Sequence, residues 1–357
     1  MQLRTAFGVV VLNVWRGKNP ADGTWGIPIR QRWGLGAHQQ LSPALEDKLA
    51  YFASVTGSYQ GAAQLAAKVG MAVEDSTVHA LVQRLGARAE SQTQARLKTQ
   101  PREKTPTRAP TQLGVLMMDG FMVRHRGSGW GQKKTRRPRV EWHEQKVGVF
   151  YCQEQKAVEH LAQKVVVSCQ GEPMALGARL HWEAVRAGLG RAHESLAVCD
   201  GAAWIWNVVH DRWSGAHQLL DFYHASQHLW ALGEALHPQD ETTRRRWVEK
   251  QLHELRHGKE KRAVRRIAAL PVRRGAAGEV IRREQNYFAS QAGRMNYQSV
   301  AARGWPIGSG AVESACRQKQ CRFKRPGQFW TACGLCHLNA LIEARDNGHW
   351  DQLWLAA

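Results

Sequence analysis

Between residues 41 and 92 the apolar residues recur at helical spacing in three separate runs. The first run follows Ser42-Pro43, and a serine cap with a proline in the first turn is typical of a helix start. The second run follows Ser58, and the third follows Ser76 after a turn at residues 70–75. Helix, helix, short turn and helix is the outline of a helix-turn-helix module, which we predict for residues 41–92. An ordinary three-helix bundle is the alternative.

After residue 112 the pattern changes to short, continuous apolar runs of the kind that form buried strands. One run ends in Asp119-Gly120, so the following residues are expected to return as the second strand of a hairpin. A later run ends in Asp200. Together with a helix between these two runs and another from His224, the order predicts a mixed α/β fold. The predicted strands cover residues 113–118, 121–126, 146–151, 165–167, 196–199 and 217–222.

The remaining segments set the domain boundaries. Residues 1–40 alternate short apolar runs with Gly, Pro and Arg, and are expected to form an irregular or hairpin-like lead-in. Residues 93–111 are rich in polar residues and proline, and are expected to form an exposed linker. The α/β domain then covers residues 112–346, with a helical insertion at about 232–292, and a short tail covers residues 347–357.

The charge of the chain points to a class of partner. The 357 residues include 50 Lys and Arg against 30 Asp and Glu, a formal charge of +20. Such an excess indicates a polyanionic partner, for which nucleic acid is the natural candidate. A membrane is disfavoured because no apolar stretch approaches the roughly 18 residues of a spanning helix. A cytoplasmic location is expected, since the amino terminus lacks a signal-peptide pattern and the cysteines are scattered.

Two groups of basic residues are candidates for DNA contacts. Residues 241–283 of the insertion hold 14 Lys and Arg against 5 Glu, so this block is expected to follow the phosphate backbone. A solvated, salt-bridged helix surface is the alternative. On the third helix of the module, Arg84 is a candidate reader of base edges, because the helix after a tight turn is the one presented to the major groove. The backbone candidates of the insertion are Arg244, Arg245, Arg246, Arg265 and Arg266.

Three acids stand out by position. Asp119 and Asp200 each end a predicted strand, and Glu313 lies in the first turn of a helix that Ser309 is placed to cap. A cluster of three carboxylates repels itself unless hard cations neutralise it, and Mg²⁺ or Mn²⁺ prefers oxygen ligands. Two such ions can support phosphodiester cleavage. Taken singly, the aspartates have an alternative role as turn residues, and Glu313 as a partner of its helix dipole.

Read with their neighbours, these acids resemble bacterial DDE transposases of the ISKra type and, more distantly, the Mutator-like group. The resemblance covers roughly residues 112–346, and its most specific part is the string around Glu313 with the basic residues after it. The strings that carry it are Met117-Met118-Asp119-Gly120, Cys199-Asp200-Gly201-Ala202-Ala203-Trp204, Asp221-Phe222-Tyr223-His224, Gly308-Ser309-Gly310-Ala311-Val312-Glu313-Ser314 and Gly327-Gln328-Phe329-Trp330.

The resemblance implies an RNase H-like core whose third acid follows a helical insertion. It implies a DDE transposase that cleaves the ends of an insertion sequence and joins them to target DNA, with Asp119, Asp200 and Glu313 holding two Mg²⁺ or Mn²⁺ ions. Asp221 and His224 are implied as supporting residues. The protein is expected to act on terminal repeats and target DNA as a homo-oligomer. The basic side chains expected to hold the cut strand are Arg317, Lys319, Arg322, Lys324 and Arg325.

Several alternatives remain open at this level. A noncatalytic DNA-binding protein derived from a transposase has the same fold, and an RNase H-like nuclease without strand transfer uses the same acids. His224 and His228 lie four residues apart on a helix, a spacing found in zinc sites, although a packing or hydrogen-bonding role is preferred. Four tryptophans near the motifs could stack on unpaired bases, but each is expected to be a core residue. These are Trp204, Trp206, Trp230 and Trp305.

Overall fold

The structure is a computed structural model that describes residues 1–33, 35–36, 39–101, 113–131, 139–153, 162–271 and 274–355. Most of the predicted linker lies outside these residues. The chain forms two compact units. Unit 1 comprises Met1–Thr99, Met122–His143 and Gln318–Ala357, and unit 2 comprises Gln100–Phe121 and Glu144–Arg317. This division differs from the predicted boundaries, because the segment after residue 317 belongs with the amino-terminal helices.

The regular elements follow one another in a mixed order. The first part of the chain contains β1 (Gln2–Thr5), β2 (Gly8–Val11), β3 (Gly17–Lys18), β4 (Trp25–Gly26), α1 (Pro28–Arg32), α2 (Pro43–Val55), α3 (Tyr59–Lys68) and α4 (Asp75–Leu97). The middle contains β5 (Leu113–Arg126), β6 (Val140–Gln153), β7 (Ala162–Cys169), α5 (Pro173–Arg186), β8 (Glu194–Cys199), α6 (Ala203–Arg212) and β9 (His217–Leu220). The last part contains α7 (Phe222–Leu236), α8 (Glu241–Arg256), α9 (Glu260–Ala268), α10 (Ala276–Ser290), α11 (Tyr297–Ala302), α12 (Gly310–Phe323) and α13 (Ala332–Asp346).

The amino-terminal elements of unit 1 agree with the sequence patterns. β1 pairs with β2 and β3 with β4, so the lead-in is made of two hairpins. Ser42 caps α2 by accepting a hydrogen bond from the Leu45 backbone, and Ser58 caps α3 in the same way through Gly61. The predicted start of the third helix at Ser76 was wrong. α4 begins at Asp75, and the residue at its capping position, Glu74, makes no side-chain hydrogen bond.

Helix α4 is longer than predicted and runs to Leu97, inside the segment expected to be a linker. The reason is tertiary: α13, far away in the sequence, packs along α4, and α2 and α3 pack on it as well. Val78, Leu81, Val82 and Leu85 of α4 are buried at these contacts. Polar composition alone indicated a linker. Towards the end of α4, Gln92 and Arg96 donate hydrogen bonds to Gln352 of the carboxy-terminal segment.

Unit 2 is built around a five-stranded sheet in the order β7, β6, β5, β8, β9. β5, β8 and β9 run parallel to one another. β6 and β7 pair with each other in the antiparallel direction. One face of this sheet buries Leu116, Met118, Ala197 and Cys199 together with apolar residues of α5 and α6. The chain therefore has a mixed α/β fold, as the order of apolar runs predicted.

Strand β5 corrects the predicted hairpin. It continues without a turn through Asp119 and Gly120 to Arg126, so that Asp119 lies within a strand of 14 residues. The Glu144 side chain of β6 lies close to Gly120: a Cβ atom at position 120 would be 2.5 Å from Oε1 of Glu144. An Asp-Gly pair favours a turn in isolation, and the neighbouring strand overrides this preference.

The predicted insertion is helical. It consists of α8, α9 and α10, and it is connected to the sheet through α7, which ends at Leu236. α8 and α10 pack on α7. The helices of the insertion bury the apolar residues Val248, Leu255, Ile267 and Phe288. In the described part of the chain, no helix is both long enough and apolar enough to cross a membrane.

Candidate active site

The register of the parallel strands brings three aspartates to neighbouring positions. Leu116 of β5 pairs with Ala197 of β8. Asp119 lies three residues further along β5, and Asp200 lies three residues after Ala197, just beyond the end of β8. On the other side of β8, Cys199 pairs with Leu220 of β9, so Asp221 follows next to Asp200. The carboxyl ends of parallel strands are where ligands bind in α/β proteins. The strand register is compatible with the predicted approach of Asp119 and Asp200, and their joint role as a site remains a prediction.

The loop after β8 is held in a defined shape. Gly201 has a φ of +96°, a conformation that favours glycine, and the Asp200 carboxylate accepts a hydrogen bond of 2.9 Å from the Ala202 backbone. Two residues at the end of α10 hold the loop from the other side. The Tyr287 hydroxyl donates to the Asp200 carbonyl at 2.9 Å, and the Gln291 amide donates to the Gly201 carbonyl at 3.1 Å. The helical insertion therefore positions Asp200.

Asp221 connects the starts of two helices. It is the N-cap of α7, where its Oδ1 accepts a 2.6 Å hydrogen bond from the His224 backbone. Its Oδ2 accepts a hydrogen bond from the backbone of Ser309, just before α12. The Ser309 hydroxyl in turn donates to Glu313 at 3.2 Å. Asp221 thereby links the third acid to the sheet edge that carries the other two.

The electrostatics of the three acids are seen at Asp119. Burial raises the pKa of Asp119; hydrogen bonds from the Gly120 backbone and from Cys316 oppose this, and the negative charges of Asp200 and Glu313 add to it. Among the described residues, no Lys or Arg forms an ion pair with any of the three acids. Of the side chains that the structure describes, no group of three or more His, Cys, Asp or Glu is arranged so that it could hold a metal ion.

A network of ring contacts supports this edge from α7 and α10. His228 stacks on Tyr287 with a centroid distance of 3.7 Å. Its Nδ1 lies 2.5 Å from Oε2 of the buried Glu284, and its Nε2 lies 3.2 Å from Nε2 of His224. Burial alone raises the pKa of Glu284, but hydrogen bonds from His228 and Arg283 outweigh it and hold that pKa below its ordinary value. His224 and His228 thus make hydrogen-bonding contacts within this network.

Sequence reasoning missed the residues that support the acids. Tyr287, Glu284, Gln291 and Cys316 were not selected as site residues. These residues lie far from Asp119 and Asp200 in the sequence and form no recognisable motif with them. The available signal was the presence of polar or aromatic residues among the apolar positions of α10, and this signal does not identify the groups that such residues contact.

We predict that Tyr287→Phe slows the proposed cleavage reaction about tenfold to one-hundredfold, because loss of the hydroxyl frees the Asp200 carbonyl and small displacements of a catalytic group are costly. Cleavage rates measured over a range of Mg²⁺ concentrations should show a higher half-saturating concentration, with the thermal midpoint nearly unchanged. Tyr51→Phe, at an exposed tyrosine of unit 1, is the control. An unaltered Mg²⁺ dependence would contradict a positioning role.

The basic residues after Glu313 are in different environments. Arg317 is exposed in unit 2, and Lys324 and Arg325 are exposed in unit 1. Lys319 is buried, with its ammonium donating to Asn339 at 2.9 Å, and Arg322 is buried as well. The prediction that Lys319 and Arg322 reach a DNA backbone on a solvent face does not fit this burial. They lie on the side of α12 that packs inward, which spacing alone did not reveal.

The arginines of the insertion also differ from one another. Arg245, Arg246 and Arg265 are exposed, and Arg244 is half-buried. Arg266 forms an ion pair of 3.2 Å with the buried Glu254 and also contacts Gln251. The predicted backbone contacts therefore remain a prediction for the exposed arginines, whereas Arg266 has a structural partner.

The tryptophans fit the core expectation only in part. Trp206 is buried and Trp204 packs partly buried against the core of the sheet. Trp305 is half-buried, with the Arg303 guanidinium 4.6 Å from its ring centroid. Trp230 is 38% exposed, so the expectation of a core role was wrong there.

The polar residues of α4 mostly contact unit 1 itself. Arg84 lies 2.5 Å from the carboxylate of the buried Glu46, Gln83 contacts His337, and Arg88 donates to the Leu355 carbonyl. Burial raises the pKa of Glu46, and the Arg84 charge only partly opposes this. These contacts favour the three-helix bundle over a free recognition helix.

Arg84→Gln separates the two roles of Arg84. If Arg84 balances Glu46, the variant loses about 1 to 2 kcal/mol of stability, a figure reduced because the guanidinium is half exposed, and adding Glu46→Gln restores the thermal midpoint. If Arg84 also reads a guanine, the variant loses about 1 to 3 kcal/mol more on the element's end than on random DNA. Equal weakening on both DNAs in a binding assay would restrict Arg84 to packing.

No family model matches the chain, and no curated protein sequence matches it. Among solved structures, the Drosophila P element transposase strand transfer complex is similar, with a TM-score of 0.30 and 11% identity over 87% of this chain and 79% of that chain. A TM-score of 0.30 does not establish a shared fold. The functional assignment therefore rests on the chain's own geometry.

Proposed function

We propose that the protein is a DDE transposase of the ISKra type that cleaves the ends of an insertion sequence and joins them to target DNA. The observation that carries this proposal is the strand register that sets Asp119 beside Asp200, with Glu313 close enough to raise the pKa of Asp119. The sheet order, in which the first strand is central and the two later strands are parallel to it, supports an RNase H-like core.

The three acids fit divalent cations by their chemistry. Their oxygens are the ligands that Mg²⁺ and Mn²⁺ prefer. Burial is the main cause of the raised pKa of Asp119, and the negative charges of Asp200 and Glu313 add to it. We assign Asp119, Asp200 and Glu313 as the ligands of two ions. When bound, such ions activate an attacking oxygen and stabilise the leaving oxygen of a phosphodiester.

The chain's own residues supply position and charge around this reaction. Tyr287 and Gln291 fix the loop that carries Asp200, and Asp221 with Ser309 fixes the start of the helix that carries Glu313. Arg317 is placed one turn beyond Glu313 and is exposed to hold a phosphate of the cut strand. We further propose that the protein binds terminal repeats and target DNA as a homo-oligomer in the cytoplasm.

The test is incubation of the protein with the element's own flanking ends, Mg²⁺ and a target plasmid. Joined products support the proposal. Cleavage without joining would identify a nuclease, and binding of the ends with neither reaction would identify a noncatalytic DNA-binding protein. Either of these results would overturn the transposase assignment.

We predict that Asp119→Asn melts about one to three degrees higher than the wild type at neutral pH without divalent ions. The pKa of Asp119 in the folded state lies above its ordinary value, so the charged carboxylate destabilises the fold. Stability is therefore lost as pH rises from the ordinary pKa of an aspartate through the raised pKa of the folded state. Adding Mg²⁺ should raise the midpoint of the wild type and leave the variant nearly unchanged. Equal Mg²⁺ responses in a thermal melt would remove Asp119 from the metal site.

A further inference from the structure

Unit 1 contains a cavity of about 420 Å³ that the proposed reaction does not use. It lies between α3, α4 and the segment that connects α12 with α13. Tyr59 is at the start of α3 and Gln83 is on α4, while Arg322 and Trp330 come from the carboxy-terminal side. A volume of this size is within the range of small-molecule sites, roughly 300 to 1,000 Å³.

The Arg322 side chain is the unusual group of this cavity. The residue is 6% exposed, and its guanidinium lies 5.2 Å from the Tyr59 ring centroid and 5.6 Å from that of Trp330. Its three nitrogens make no hydrogen bond of standard geometry among the described residues, although the guanidinium interacts with the Tyr59 hydroxyl. Burial lowers the pKa of Arg322 to about 10, so the group is still charged at neutral pH. A buried charge without an acidic partner is costly, and an anionic ligand would reduce that cost.

The other polar atoms of the cavity also favour an acceptor-rich ligand. The Tyr59 hydroxyl and the Gln83 amide nitrogen are buried and make no hydrogen bond of standard geometry among the described residues. Gln83 and Arg322 both interact with the Tyr59 hydroxyl, and the Gln83 carbonyl oxygen contacts His337. Arg126 adds a second positive charge to the lining, and no Asp or Glu of the described residues lines the cavity. Guanidinium, amide and hydroxyl donors around one space suit the oxygens of a phosphate.

The cavity has aromatic walls that are held in place. The Trp330 indole donates to the Phe323 carbonyl at 2.9 Å. The Trp330 backbone makes two hydrogen bonds to β5: its carbonyl accepts from the Arg126 N–H at 2.8 Å, and its N–H donates to the Arg124 carbonyl at 3.1 Å. Phe329, the next aromatic residue, packs against Trp130 with a centroid distance of 4.6 Å. Fixed rings beside a phosphate-binding cation are the elements that bind an unpaired base and its backbone.

We propose that this cavity binds one phosphate-bearing nucleotide of single-stranded DNA, with the phosphate on Arg322 and the base against Trp330. The cavity thus gives Arg322 a DNA contact inside unit 1 in place of one on a solvent face. The inference rests on the proposed function only in the choice of DNA as the source of the nucleotide, because the binding groups are separate from the three acids.

Calorimetric titration of the full chain without divalent ions tests this inference. The probes are a 5′-phosphorylated single-stranded oligonucleotide, deoxyadenosine monophosphate, deoxyadenosine and inorganic phosphate. Arg322→Met, which keeps length but removes the charge, should weaken the two nucleotides about tenfold to one-hundredfold, as expected for hydrogen bonds to a charged group. Lys68→Gln, which removes one exposed charge of α3, should change them less than about twofold.

Each outcome of the titration decides the matter. Equal affinity of the wild type and Arg322→Met for the oligonucleotide would overturn the proposal. Inorganic phosphate that binds as tightly as the nucleotide would show a free-phosphate site without a base position. If Arg322→Met fails to fold, Tyr59→Phe and Trp330→Phe replace it, and unchanged nucleotide affinity in both would overturn the proposal equally. Failure of strand joining with nucleotide binding intact would count against the proposed function alone.

Thermal melting adds a readout that a packing role would not produce. Because Arg322→Met removes a buried charge that has no acidic partner among the described residues, the unliganded variant should melt no lower than the wild type. The nucleotide should raise the midpoint of the wild type and not that of the variant. A large drop for the variant, with no nucleotide response in the wild type, would assign Arg322 to the core and overturn the site.

Discussion

Asp119→Asn, Asp200→Asn and Glu313→Gln are each expected to abolish cleavage and joining, by about a thousandfold or more, while binding of the element's ends is largely kept. These substitutions preserve side-chain volume and remove the charge that holds the metal ions. The register places Asp119 beside Asp200, and Glu313 acts on the pKa of Asp119, so the three form one electrostatic unit. Single-turnover cleavage and a gel-shift assay on the same DNA measure the two effects.

Two features make this prediction specific. The losses in double and triple variants should not add, since residues that act together lose function together. Glu279→Gln, an exposed glutamate of α10, is the matched control and should cleave like the wild type. Near-normal joining by any one acid variant would remove that residue from the active site.

The second expected result is a change in salt dependence. Replacing Arg245, Arg246 and Arg265 together by Gln should make the slope of log affinity against log salt shallower by roughly two to three units, since each neutralised phosphate contributes about 0.9. All DNA sequences should weaken alike, because phosphate contacts carry no base information. These three side chains are exposed and lie on the helical insertion, away from the strands that bear the acids.

Arg266→Gln is the internal comparison for this experiment. Its guanidinium pairs with the buried Glu254, so the variant should lower the thermal midpoint and leave the salt slope nearly unchanged. Salt titrations by fluorescence anisotropy measure the slope for both variants. An unchanged slope in the triple variant would assign the block to a solvated, salt-bridged surface.

Much of this protein could be read from local pattern. Ser42 and Ser58 begin helices as predicted, because a cap needs only a hydroxyl next to the first free backbone amides. The strand that ends at Cys199 places Asp200 at the sheet edge for a similarly local reason, a continuous apolar run followed by Asp-Gly. The chemistry of the candidate site was therefore visible from residue types at element ends.

Tertiary contacts decided the rest. Gly120 does not turn the chain, because Glu144 on the neighbouring strand occupies the space beside it. Lys319 and Arg322 are buried although the string of basic residues suggested a solvent face, and Tyr287 reaches Asp200 from a helix 87 residues away in the sequence. Sequence by itself determined two helix caps, the apolar periodicity and the position of Asp200 directly after its strand, since these depend on neighbours along the chain. Which side of α12 faces inward, and which residues hold the acids, depend on contacts between segments distant in sequence, and only the folded structure specifies them.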